Sequence, residues 1–225
     1  MNLTKLNLNK NKISEDLAEL YGAMLGDGCL SKYFANFDKR YKFCTLITGH
    51  YHDEQYYREI LQPILFKEFG IKGCIRLRKD SKVVRFETTY KKVFDFFVGF
   101  GFPIGKKNVI SIPNMIKVNN ILSLACIRGI FDTDGSIYKR YSKKYDNHNK
   151  LYNHLVIQFK MNSLQIITAI KDILEKNYIK TTKMGKAGNA FVLRLTDQES
   201  IHKFMKTIRP SNPYHTQRYL NGKIF

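Results

Sequence analysis

Acidic residues are the first scarcity: 19 Asp and Glu face 38 Lys and Arg in 225 residues, a net charge of +19. Long apolar runs are a second, since no stretch of about 18 apolar residues occurs, which excludes a helix that spans a bilayer. Cysteine is a third. Cys29, Cys44, Cys74 and Cys126 are scattered with no C-x-x-C pair, which excludes a disulfide framework or zinc ribbon and fits reduced thiols in a reducing compartment. His50 and His52 lie one residue apart with no Cys or second His pair nearby, so they read as polar residues rather than zinc ligands. The N-terminal MNLTKLNLNKNKI has neither a continuous apolar segment nor an arginine. Neither a secretory signal nor an Arg-rich presequence is expected from it.

What remains is a basic chain with a full complement of core residues. Hydrophobic residues make up 44%, too many for a disordered basic tail. A folded body with so large a cationic excess calls for an anionic partner, nucleic acid before an anionic membrane surface.

Two segments repeat each other. AELYGAMLGDGCLSKY (18–33) and LACIRGIFDTDGSIYKR (124–140) align with Gly22 on Gly129, Asp27 on Asp134 and Gly28 on Gly135, each offset by 107, and Pro103 and Pro210 keep that offset. One Asp-Gly pair is a turn signal; two copies with shared landmarks indicate duplication. Both halves run through one succession of patterns. In the first, apolar spacing predicts a helix over 14–27, capped by Ser14 and closed at Gly28, and a hairpin over 29–49. A helix over 53–69 that Pro63 should break follows, then a hairpin turning at Asp80-Ser81 and a helix over 90–100. In the second, helices are expected over 117–134, 163–177 and 198–208 and hairpins over 136–161 and 180–196. The resulting fold class is α+β: two pseudo-symmetric αββαββα repeats, each a four-stranded antiparallel sheet with helices on one face. Residues 1–12 read as a mobile segment, 13–103 as the first repeat, 104–116 as a linker and 117–225 as the second repeat.

Gly22 and Gly26 share one helix face, as do Gly129 and Thr133. Small residues there let two helices approach closely, which would bring Asp27 and Asp134 out at the same end of the pair. Helix C-termini already carry partial negative charge, so two acids at that place make sense around a divalent cation. Mg²⁺, with Mn²⁺ as its substitute, suits an oxygen-rich site. With a basic surface, the implied chemistry is metal-assisted phosphodiester hydrolysis.

YGAMLGDG and IRGIFDTDG resemble the paired motif of the LAGLIDADG homing endonucleases, in their single-chain, two-repeat, intron-encoded form. The first copy has Leu25 where an additional acid is frequent, and the second has Asp132. The resemblance implies a monomer that forms a saddle over double-stranded DNA and cuts both strands of a long asymmetric target, leaving 3′ overhangs. It implies metal binding by Asp27 and Asp134, helped by the carbonyls of Gly26 and Thr133, with Lys106 or Lys107 near the scissile phosphate. The second-repeat counterpart of that lysine would be His215, Gln217 or Arg218. Solvent-positioning residues map to His50, because Gly49 has no side chain, and to Asn162. An intron RNA maturase, with RNA as its partner, or a non-cleaving DNA-binding protein of the same fold is the alternative. The expected location is intracellular, in a prokaryotic cytoplasm or nucleoid or in an organelle matrix.

The hairpins carry the second signal. CIRLRKDSKVVRFE alternates apolar and basic residues, one face of each kind at period two. Arg76, Arg78, Lys79, Lys82 and Arg85 in the first repeat, and Lys139, Arg140, Lys143, Lys160, Lys183, Lys186 and Arg194 in the second, are the candidate DNA contacts. Most would meet phosphates, and some arginines would read guanine in the major groove.

Overall fold

The computed structural model describes residues 13–107, 110–142 and 152–222. α1 (Glu15–Asp27) begins at Ser14, whose Oγ accepts the Leu17 N–H at 3.0 Å, and runs directly into β1 (Gly28–Ala35) and β2 (Arg40–His50). A 3-10 turn (Tyr51–Asp53), α2 (Glu54–Tyr56), a π-helical stretch (Tyr57–Leu61) and α3 (Gln62–Phe69) follow without a break. β3 (Cys74–Arg78), β4 (Val83–Thr88) and α4 (Lys91–Gly99) complete the first unit. After the connection come α5 (Asn114–Val118), α6 (Asn120–Asp134), β5 (Gly135–Ser142), β6 (Tyr152–Met161), α7 (Leu164–Lys176), β7 (Gly185–Ala187), β8 (Ala190–Leu195), α8 (Gln198–Ile208) and α9 (Pro213–Gly222).

The two antiparallel sheets have matching orders, β1-β2-β4-β3 and β5-β6-β8-β7. In each, the strand after the acid-bearing helix lies at one edge. Ile47, Val84 and Phe86 of the first sheet and Ile157, Phe159, Leu193 and Leu195 of the second are buried on the helix-covered faces. No helix among the described residues is long and apolar enough to cross a membrane.

At the centre, α1 and α6 lie against each other with almost nothing between their backbones. A Cβ on Gly22 would overlap the Cys126 carbonyl, and one on Gly129 the Glu19 carbonyl and Ala23 nitrogen. Gly26 meets the Thr133 side chain in the same way. Glycine at these points is therefore a condition of the packing, which helix propensity alone disfavours by about 1 kcal/mol relative to alanine.

Several expectations need correction. Pro63 does not break its helix: the π-helical stretch before it shifts the bonding pattern so that the missing N–H is absorbed at the first turn of α3. The helix expected over 117–134 is two helices, because the Asn119 side chain accepts the Leu122 N–H and starts α6 afresh. Part of the 104–116 connection is accordingly helical. α9 was not anticipated. Gly28 and Gly135 do not close their helices in a left-handed conformation. Both are extended (φ −83° and −82°) and begin strands, and a side chain on either would run into Met24 or Phe131.

Candidate active site and nucleic-acid face

The last turns of α1 and α6 carry no basic residue, and each ends in its aspartate. Burial and the neighbouring Asp134, then Asp53, push the Asp27 carboxyl up to about 8, against an opposing pull from Lys107. Asp134 is pushed up to about 6 by burial, again opposed by Lys107. The two acids are thus close enough to contest one another's charge.

Lys107 reaches this point because the chain after Phe102 adds to the edge of the first sheet. Ile104 pairs in parallel with Leu30, and the Gly105 N–H donates to the Leu30 carbonyl at 2.8 Å. The Lys107 ammonium then donates to the carbonyls of Gly26 (2.5 Å), Leu25 (3.0 Å) and Met24 (3.5 Å). A cation at a helix C-terminus satisfies orphan carbonyls and the dipole together. Burial depresses its pKa while Asp27 and Asp134 raise it. A cleft opens beside it, lined by Gly26, Lys106, Lys107, Asp134, Asn162 and Ser163 among others. The structure therefore brings together Asp27, Asp134, Lys106, Lys107 and Asn162.

Other expected residues lie differently. The Gly26 carbonyl is already engaged by Lys107. The Thr133 hydroxyl donates back to the Gly129 carbonyl at 2.9 Å. His50 is exposed, its ring 4.4 Å from that of Tyr51 and 4.7 Å from that of His52; only its backbone N–H serves the site, donating to Asp53 Oδ2 at 2.9 Å. His215 is buried against Phe131, and burial lowers its pKa to about 4, so it is a neutral core group. Arg218 donates to the Tyr214 hydroxyl. At the end of α6 a side-chain donor is supplied by Asn212. Its amide donates to the Asp132 carbonyl at 2.9 Å, and Asp132 matches Leu25 at the offset of 107 (132 − 25). Asn212 itself matches Gly105 (212 − 105), two positions from the lysine, so the repeat offset does not find it.

Reasoning from sequence also missed a buried acidic network. Asp53 takes the Asn212 amide on Oδ1 at 2.9 Å. Asp132 is fully buried; its Oδ2 accepts the Ser211 N–H at 2.6 Å, and desolvation holds its pKa well above the carboxylate range. Glu19 is clamped by Arg128 at 3.0 Å, and Arg128 also donates to the Ile208 carbonyl at 2.8 Å. These contacts hold the ends of the two halves together.

The donor set fits a hard divalent cation. It consists of two half-buried carboxylates, Asp134 raising the pKa of Asp27; no group of three or more His, Cys, Asp or Glu is placed to hold a metal ion among the described residues. Water and phosphate oxygens would complete the shell, as Mg²⁺ and Mn²⁺ accept and zinc does not require.

Strand register sorts the candidate DNA contacts. Arg76 pairs with Arg85, which pairs with Thr48, and Arg78 shares that face, away from the helices. In the second sheet Arg140, Lys160 and Arg194 share the corresponding face with Gln158. Arg194 Nε donates to Gln158 Oε1 at 2.8 Å, and Tyr138 donates to the same oxygen. Lys139 pairs with buried Leu155, and Lys186 pairs with Phe191, so both fall on the helix side and leave the expected set. Lys82 and Lys183 are in connecting turns. Lys143 and the Lys79 side chain lie outside the described residues.

Two duplicated αββαββα units meeting through acid-tipped helices define the LAGLIDADG endonuclease fold. Residues 122–209 match the LAGLIDADG-like domain model. The chain has the fold of the single-chain LAGLIDADG homing endonucleases. I-DmoI, solved in complex with DNA and Mn, superposes with a TM-score of 0.62 at 19% identity, covering 89% of this chain and 99% of that one. I-AabMI, solved bound to uncleaved DNA, gives 0.62 at 12% identity over 92% and 88%. The replication factor C small subunit of Methanocaldococcus jannaschii is 27% identical over 205 residues, 85% of this chain. The chain spans 11% of that protein's length.

Proposed function

We propose that the protein is a site-specific, divalent-metal-dependent DNA endonuclease that cuts both strands of an asymmetric target and leaves 3′ overhangs. The observation that carries this reading is the pair of half-buried carboxylates, Asp27 and Asp134, the second raising the pKa of the first, emerging from helices packed backbone to backbone. A domain that only bound nucleic acid would gain nothing from such an arrangement.

The chain's own groups divide the work. The outward arginines and lysines of both sheets hold the phosphodiester backbone and fix its register, while Arg194, fixed by Gln158, is positioned to read a base edge. Asp27 and Asp134 hold the cation; that ion, when bound, supplies Lewis-acid polarisation of the phosphate and lowers the pKa of water. Lys107 fixes the end of α1 and would offer positive charge against the negative charge that the leaving oxygen develops. Lys106 and Asn162, on the cleft wall, position solvent and phosphate on the Asp134 side.

The test is selection from a randomised duplex library in Mg²⁺, followed by Asp27→Asn and Asp134→Asn. Double-strand cleavage should disappear in each while DNA affinity stays within a few-fold. A fully active single variant refutes the assignment, and binding without cleavage by the unaltered chain favours a non-cleaving DNA-binding or maturase role.

A further inference from the structure

The two half-sites are not alike. Lys107 acts on both acids, and beside Asp134, where the cleft is open, no second carboxylate is found to act among the described residues. Beside Asp27 stands a second carboxylate. Asp53 is 7% exposed and held by the His50 N–H and the Asn212 amide just past the end of β2. Ile47 of that strand pairs with Gly28, the residue after Asp27, and the Asp53 charge also acts on Asp27. Next to it is Tyr57, fully buried, whose hydroxyl has no hydrogen-bond partner among the described residues. Gly49, at the end of β2, leaves the space for both: a Cβ there would overlap the Tyr57 hydroxyl and lie 2.6 Å from Asp53 Oδ2. On this side the chain from the second half is drawn in, with Asn212 on Asp53 and the Tyr214 ring stacked 4.5 Å from that of His52.

A buried hydroxyl without a partner is costly and rare. Phenylalanine at position 57 would fill the same space without that cost. The Asp53 side chain could cap its helix from an exposed position just as well, yet it is buried beside Gly49 with the Tyr57 hydroxyl. Both features disfavour stability and lie at the end of β2, the strand paired with the one that follows Asp27.

Resting on the nuclease reading above, we propose that Asp53 and Tyr57 are positioning residues for the Asp27 half-site alone. Asp53 adds negative charge that draws the cation to Asp27, and the Tyr57 hydroxyl orders the solvent there. Lys107 serves both halves, and the Asp134 half has Asn162 on its cleft wall instead. Losing Asp53 or Tyr57 therefore slows one strand's scission and spares the other.

The test compares Tyr57→Phe and Asp53→Asn with the unaltered chain by strand-resolved cleavage of a duplex recovered in the library selection, by thermal melting, and by Mn²⁺ titration of the protein without DNA. Tyr57→Phe should melt at or above the parent temperature. It should still slow one strand about tenfold, the scale of outer-sphere losses at metal sites, so that nicked duplex accumulates. Asp53→Asn should show the same strand bias and bind Mn²⁺ several-fold more weakly. Equal slowing of both strands, or Tyr57→Phe cutting both strands at the parent rate, overturns the proposal. If the unaltered chain cuts no duplex, the nuclease reading is what fails. The Mn²⁺ titration then decides the remainder, since undiminished affinity in Asp53→Asn refutes the coupling to Asp27.

Discussion

Gly129→Ala is the most direct probe of the helix pair. The added methyl meets the Glu19 carbonyl oxygen and the Ala23 nitrogen, both backbone atoms that no side-chain rotation can clear. Overpacking of this kind costs about 1–3 kcal/mol, occasionally more, and a backbone obstruction belongs at the upper end. Alanine's better helix propensity returns about 1 kcal/mol, leaving a net loss of about 2 kcal/mol. For a chain of this size that lowers Tm by roughly 4–8 °C. Gly99→Ala is the internal control: it lies at the end of α4 with nothing within 4 Å of its Cβ position, so the same chemical change should be neutral or stabilise by up to about 1 kcal/mol. Urea unfolding of both variants measures the contrast directly. Gly129→Ala as stable as Gly99→Ala would show that α1 and α6 do not touch through their backbones, and the convergence of Asp27 and Asp134 would lose its structural basis.

The raised carboxyl pKa values give a pH dependence of definite sign. Asp27 in the folded protein holds its proton up to about 8, and Asp134 to about 6. The unfolded chain releases both near 4. Folding stability without metal should therefore fall as pH rises from about 4 to about 8, and Asp27→Asn should flatten that fall and melt higher than the parent at pH 8; a parent Tm constant across this range refutes the coupling. Over pH 6–8 the affinity for Mn²⁺ should rise, since binding must displace those protons, which isothermal titration in buffers of different ionisation enthalpy detects as proton release. DNA affinity should fall steeply with salt: if six basic side chains meet phosphates, the slope of log K against log salt is about −5. Lys160→Ala, on the outward face of β6, should reduce that slope by about 1, and an unchanged slope removes it from the interface.

Patterns local in sequence were legible, and those that depend on partners distant in the chain were not. The α1 and α6 helices, their glycines and their terminal acids could be read because each signal lies within a few residues and recurs at an offset of 107. The period-two faces of β3 and β4 placed Arg76, Arg78 and Arg85 together for the same reason. Lys139 and Lys186 went astray because charge alone does not reveal parity. Their faces are fixed by pairing with Leu155 and Phe191 across the sheet. Pro63 was misjudged because a propensity argument treats one residue, whereas the π-helical turn that accommodates it spans five. Asp53 and Asn212 are 159 residues apart, and neither belongs to the repeated motif. No window of sequence joins them. His215 looked available for chemistry because its residue type suggests it, but burial against Phe131 makes it a core residue.

The charge balance at the helix ends argues for function over stability. A helix C-terminus is stabilised by cations, yet neither α1 nor α6 has a basic residue in its last turn, and both end in aspartate. One cation, Lys107, is brought from the connecting segment, and it lies on the α1 carbonyls. The α6 end receives the neutral amide of Asn212 instead. Asp27 and the groups whose charge acts on it, Asp134, Asp53 and Lys107, carry two net negative charges when ionised, Lys106 on the cleft wall not being among them. A lysine in place of Asn212 would have added positive charge there, but position 212 is fully buried and its amide bonds both Asp53 and the Asp132 carbonyl. What remains is a deficit of the size a single divalent ion fills. On the nuclease reading, a bound cation would relieve the repulsion between Asp27 and Asp134, which would account for placing both acids at helix ends whose backbone dipoles oppose them.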